Sequence, residues 1–188
     1  LVVKNHVDFV NYADQAVYCQ PIENVEFGED QPSEARLITN PNSGFRYADF
    51  LYDPKRERLI CVREDHEGQE SLDCAASKVS NCIVSLPIGE AIVTDGGVLF
   101  SDSDFVSSPT LSADASTLAF IWWDHPNMPW DITTLAVASL TEDGYLSEVT
   151  HVQGPCPASI LQPRFNGDRQ LYVISDWSGW WNIYRYDL

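Results

Sequence analysis

Three stretches of the chain are variations on one unit. ADFLYDPKRERLICVRED from Ala48, PTLSADASTLAFIWWDH from Pro109 and PRFNGDRQLYVISDWSG from Pro163 each hold a short strand, a turn and an apolar second strand. The turns carry Asp53, Asp114 and Asp168, and the second strands end in Glu64, Asp124 and Asp176. After the first two units come two more strand-like segments, CIVSLP with GVLFSD and TTLAVASL with SEVTHV. The unit is therefore a four-stranded antiparallel meander with a period of about 55 to 60 residues, longer than the roughly 40 to 50 of a common propeller blade. One such sheet cannot bury both of its faces alone, so copies must stack around an axis.

The rest of the chain agrees with this unit. Apolar segments are short, β-branched or aromatic, and bounded by Asp, Gly, Asn, Ser and Pro, and helical periodicity is nearly absent. The expectation is an all-β fold, a β-propeller fragment of about three four-stranded antiparallel blades. Residues 1–45 read as the end of an earlier blade, 46–106 and 107–158 as blades, and 159–188 as the start of a further one. All belong to one propeller domain. A closed propeller needs at least about four blades, so the chain is expected to be a piece of a larger protein. The excess length falls at Asp65–Asn81 and in DHPNMPWD, Asp124–Asp131.

Charge and cysteines exclude several function classes. The net charge of −17 repels nucleic acid and anionic membranes. No apolar run reaches the roughly 18 residues of a membrane helix. The five cysteines have irregular spacing and no CxxC, which argues against a disulfide framework or a zinc knuckle. Cys61 and Cys82 read as buried small hydrophobes, a Cys74–Cys82 pair as an alternative open only to a secreted chain, and a reduced, cytoplasmic protein as the simpler reading. Asp95, Asp102 and Asp104 lack the spacing of a calcium loop, and neither a metal nor a cofactor is expected. The turn aspartates are expected to accept hydrogen bonds from backbone N–H groups.

YADFLYDPKRERLICVREDH, LSADASTLAFIWWDHPNMPWDITTLAVASL and SDWSGWWNIYRYDL resemble the N-terminal β-propeller of prolyl oligopeptidase family serine peptidases. The bacterial dipeptidyl aminopeptidase and acylaminoacyl-peptidase branch is the nearest likeness. It covers nearly the whole chain; stretches 23–34 and 67–78 look like insertions. TolB-like propellers share the S-D-x-x-G element, so WDHPNMPWD and SGWWNIYR carry the specificity. The resemblance implies an α/β-hydrolase domain in the same parent chain, with a Ser-His-Asp triad, and a propeller that restricts access to peptides and helps position them. This chain contains no G-x-S-x-G elbow, so no catalytic residue is expected within it.

Candidate contact residues follow from that implication. His125, Asn127, Trp130 and Asp131 lie in a loop stiffened by Pro126 and Pro129, and face either the hydrolase domain and substrate cavity or the next blade. Glu64 and Asp65 end a strand where a carboxylate can hold a peptide's α-ammonium; the alternative is a solvated strand end. In DWSGWWNIYR, Trp181 and Tyr184 are expected between blades, and Trp177 and Trp180 exposed on the turn. The expected function is substrate gating and positioning for peptide-bond hydrolysis. The alternative is a non-catalytic TolB-like or WD-like scaffold that binds protein or carbohydrate. Exposed edge strands make an oligomer possible.

Overall fold

The computed structural model describes residues 1–22, 34–66, 79–88, 93–152, 154, 156–167 and 170–188. Cys74 and the turn residue Asp168 lie outside them. The described residues contain no helix, and so none long and apolar enough to cross a membrane.

Among the described residues, fifteen strands form four antiparallel sheets, each in simple sequence order. The first sheet holds β1 (Val2–Val3), β2 (His6–Val10), β3 (Val17–Pro21) and β4 (Arg36–Leu37). The second holds β5 (Phe45–Asp53), β6 (Arg58–Asp65), β7 (Ser80–Pro87) and β8 (Gly97–Phe100). The third holds β9 (Phe105–Leu111), β10 (Thr117–Trp123), β11 (Thr134–Leu140) and β12 (Leu146–Val152). The fourth has three strands, β13 (Ile160–Phe165), β14 (Gln170–Ser175) and β15 (Asn182–Asp187). The repeated meander expected at Ala48 and Pro109 is thus two complete sheets. The first 45 residues, expected to be the tail of a blade, themselves pair into four strands, two of them only two residues long.

The core lies between sheets. Val17 and Cys19 of the first sheet, with Ile38 just after it, pack against Leu59, Cys61 and Val84 of the second. Ile60, Val62 and Ile83 from the other face of the second sheet meet Leu118, Phe120 and Ala136 of the third. Ala119, Ile121 and Leu135 then meet Ile160, Leu171 and Val173 of the fourth. Successive residues of β6 and β10 therefore enter different cores, because side chains alternate across a strand. This is why LICV (59–62) and LAFI (118–121) read as unbroken apolar runs. Cys61 and Cys82 are buried in the first of these cores, and burial pushes both thiols above their ordinary pKa.

The first strands lie side by side, β5 against β9 and β9 against β13. Each of the three carries a bulge at the same place, with a non-glycine residue in the left-handed region: Asp49 (φ 54°), Ser108 (φ 55°) and Gln162 (φ 51°). One bulge reaches the next sheet, since the Asp49 carboxylate accepts the Ser108 N–H at 2.9 Å. Bulges raise local twist, which suits strands that must splay around an axis.

Candidate functional site

In an antiparallel meander the connections alternate between the two ends of the sheet. The links between second and third strands fall at one end, together with the links from one sheet to the next. The β10–β11 loop (124–133), the β14–β15 turn (176–181) and the end of β6 all belong to this end. It therefore carries every candidate contact residue: Glu64, Asp65, His125, Asn127, Trp130, Asp131, Trp177 and Trp180.

The 124–133 loop is held by its own backbone and by its neighbours. Asp124 accepts the Asp104 N–H at 2.8 Å, and Asp104 in return accepts the His125 N–H at 2.9 Å. The His125 ring stands edge-on to Phe105, with centroids 4.9 Å apart. The Asn127 N–H donates to the Asp124 carbonyl, and the Asp131 carboxylate accepts the Met128 N–H at 2.9 Å. At the far side, the Ser159 hydroxyl donates to the Pro129 carbonyl at 2.6 Å, and Thr133 exchanges hydrogen bonds with Ile160. The loop is thereby pinned to the first strand of the following sheet. Its large apolar side chains are not covered: Trp130 is 62% exposed, Met128 44% and Ile132 38%. Asp131 thus caps a turn inside the loop, while Trp130 and Met128 stay open to solvent.

Ser159 also joins this loop to the next turn, because its N–H donates to the Asp176 carboxylate at 3.0 Å. Asp176 and Asp124 do the same work, each capping the residue just before the first strand of its own sheet. Register puts His66, not Glu64, at the equivalent place in the second sheet, and there the His66 N–H donates to the Gly44 carbonyl. Glu64 lies 2.9 Å from His66 Nε2. Its carboxylate has a partner within the chain, so its reading as an open receptor for an ammonium is weakened. Asp65, half-buried, pairs with Ser80 across the strands.

The tryptophans exchange roles relative to expectation. Trp177 is half-buried, not exposed: its ring leans on Tyr184, with centroids 4.8 Å apart, and joins the core between the third and fourth sheets. A Cβ on Gly154 would run into the Trp177 indole, so a glycine there makes room for it. Trp181 is not packed between blades but half exposed, and Trp180 is 80% exposed. The cause is alternation along the strand: Tyr184 and Tyr186 face the core, and Trp181 falls in step with the exposed Ile183. The β15 ladder begins at Asn182, opposite Ser175, and Gly179 at φ 83° lets the preceding turn close. Trp181 lies just before β15, and on the strand itself Tyr184 and Tyr186 pack against the core.

At the same end a cavity of 280 Å³ lies between the first two sheets, lined by Asp14, Gln15, Asn42, Phe45, Arg46 and His66 among others. The Tyr18 hydroxyl, 2.8 Å from the Asp14 carboxylate, holds Asp14 below the ordinary carboxylate range. Ser159 and Thr133 were not singled out from the sequence, and Asp104 was weighed there only as a metal ligand. Their work is defined by partners about 20 to 30 positions away, and no local motif announces it.

Sheet order and packing define the class, a β-propeller segment. No protein-family model matches the chain, and no curated relative does. Solved structures do. A Mycobacterium tuberculosis puromycin-hydrolysing peptidase aligns over 100% of this chain and 28% of its own, at 32% identity and a TM-score of 0.80. A puromycin hydrolase aligns over 96% of this chain and 27% of its own, at 30% identity and a TM-score of 0.79. TolB from Acinetobacter baumannii, at 13% identity and a TM-score of 0.58, shares the fold alone. The chain is the N-terminal propeller part of a prolyl oligopeptidase family protein, and it spans little more than a quarter of the length of these peptidases.

Proposed function

We propose that this propeller gates and positions substrate for a peptidase whose catalytic serine lies in an α/β-hydrolase domain of the same parent chain. The observation that carries the reading is the exposure of Trp130, with Met128 and Ile132, on a loop whose backbone is pinned at both ends. Bulky apolar groups on a rigid frame lose little entropy on contact, and soluble surfaces seldom display them without a partner. His125 and Asn127 stand beside them to meet polar groups. The substrates are oligopeptides and aminoacyl amides such as puromycin, which the structural relatives are named for hydrolysing. A net charge of −17 draws substrates that carry a free ammonium. The free cysteines fit a reducing, cytoplasmic compartment. The open strand edges favour self-association of the isolated segment.

The test uses the parent protein at full length. A fluorophosphonate probe is expected to label a serine beyond Leu188, and the protein to hydrolyse puromycin. Trp130→Ala is expected to lower kcat/KM for puromycin about tenfold, some 1.4 kcal/mol of binding, while labelling by the small probe stays unchanged. A parent that neither labels nor hydrolyses sinks the peptidase reading. Equal loss of labelling and hydrolysis would assign Trp130 to the domain contact and not to substrate.

A further inference from the structure

Away from the 124–133 loop, at the other end of the sheets, the first sheet buries a group of side chains that the fold alone does not explain. His6 and Asp8 stand two apart on β2 and so share a face, and Cys19 on β3 is the direct cross-strand partner of Asp8. Asp8 is completely buried, and neither of its carboxylate oxygens has a hydrogen-bond partner among the described residues. His6 Nε2 comes within 3.3 Å of Asp8 Oδ2 without hydrogen-bonding geometry and is itself unsatisfied. The groups that act on the carboxylate are this ring, the Cys19 thiol, which is a weak donor, the α-ammonium of Leu1 and the Arg36 charge. A buried carboxylate is normally bonded, paired or bound to a metal.

The three ligand atoms, one nitrogen, one oxygen and one sulfur, lie within 4.8 Å of one another. Around a tetrahedral zinc, with bonds of about 2.0 to 2.3 Å, ligand atoms sit roughly 3.3 to 3.8 Å apart. Small side-chain rotations close the difference, and the His6–Asp8 separation already falls in that range. A cavity of 210 Å³ opens on His6 and Cys19, leaving room for water as a fourth ligand. Arg36 borders the same cavity, but its guanidinium is drawn aside by the Ile88 carbonyl at 2.6 Å.

We propose that His6, Asp8 and Cys19 form a binding site for a single divalent cation of the zinc class. A neutral imidazole, a carboxylate and a thiolate cancel the charge of Zn²⁺, so the occupied site is neutral where it is buried. On binding, the Cys19 thiol proton leaves to water through the cavity, and the sulfur, imidazole nitrogen and carboxylate oxygen become ligands. The mixed set suits Zn²⁺ better than Mg²⁺ or Ca²⁺, which take oxygen ligands. Bound metal would tie β2 to β3 where the first sheet packs on the second.

The experiment takes the full-length parent, strips it with chelator under reducing conditions, and titrates it with Co²⁺ and then Zn²⁺. Thiolate-to-cobalt charge-transfer absorption is expected with one equivalent of Co²⁺, and Zn²⁺ is expected to abolish it. Cys19→Ser is expected to remove the band. His6→Gln, at a partly exposed position the core does not depend on, is expected to weaken Co²⁺ binding at least tenfold, which keeps the test sound if the cysteine variant misfolds. A wild-type protein without the band overturns the proposal, as does a band that neither variant changes.

Discussion

At Asp53 two arginines converge on one carboxylate that no solvent reaches. Arg56 Nη1 and Arg58 Nε each donate to Asp53 Oδ2 at 3.0 Å, and the Lys55 N–H donates to Oδ1 at 3.1 Å. The guanidinium groups then reach the third sheet, Arg58 to the Gly144 carbonyl at 2.7 Å and Arg56 to the Thr141 carbonyl at 2.7 Å. Gly144, at φ 85°, is a glycine because a Cβ there would meet the Arg58 guanidinium. The turn role of the aspartate was legible in the sequence: Asp53 caps Lys55, and Asp114 caps Ser116. The link between sheets was not, since its partners lie more than 80 positions away. Asp53→Ala would leave both arginines without their counter-charge. Loss of one member of a buried pair costs about 3 to 5 kcal/mol, so a fall of that order in unfolding free energy is expected in a urea titration. A change below about 1 kcal/mol would show that the arginines find water instead.

Strands and loops differ in how far sequence determines them. The inner strands of the second and third sheets touch two cores, so their apolar runs are continuous, and strand positions follow directly from composition and turn residues. Loop packing depends on contacts the local sequence does not announce: Trp177, in the turn, folds back on Tyr184, while Trp181 shares the outward face of Ile183. The 124–133 loop was readable as stiff from its prolines, yet its anchor, Ser159, belongs to the next sheet. Ser159 is fully buried and holds both the Pro129 carbonyl and the Asp176 carboxylate. Ser159→Ala keeps the backbone link to Asp176 but strands the carbonyl, a loss of roughly 1 kcal/mol. The expected result is faster amide exchange in Asn127–Thr133 with exchange in β10 and β11 unchanged. Unaltered exchange in the loop would mean that Asp104 and Asp124 alone hold it.

Across the whole molecule, opposing forces meet at the unpaired edges. The fourth sheet has three strands where the others have four, and its last strand, β15, has no neighbour on one side among the described residues. Ile183 there is 75% exposed, and Trp181 just before it 50%. An apolar edge with free backbone groups is a template for pairing, while a net charge of −17 pushes copies apart. Charge repulsion is screened beyond roughly 10 Å at 0.1 M salt, whereas backbone pairing and apolar burial are not. The isolated 188-residue chain is therefore expected to sediment as a smaller species at low salt and to associate as salt rises. Ile183→Lys puts a charge on the edge and is expected to suppress that association at every salt concentration. A clean monomer at high salt would show that this edge is already covered. Association that persists in the lysine variant would move the contact to another surface, with Trp130 and its neighbours next to be tested.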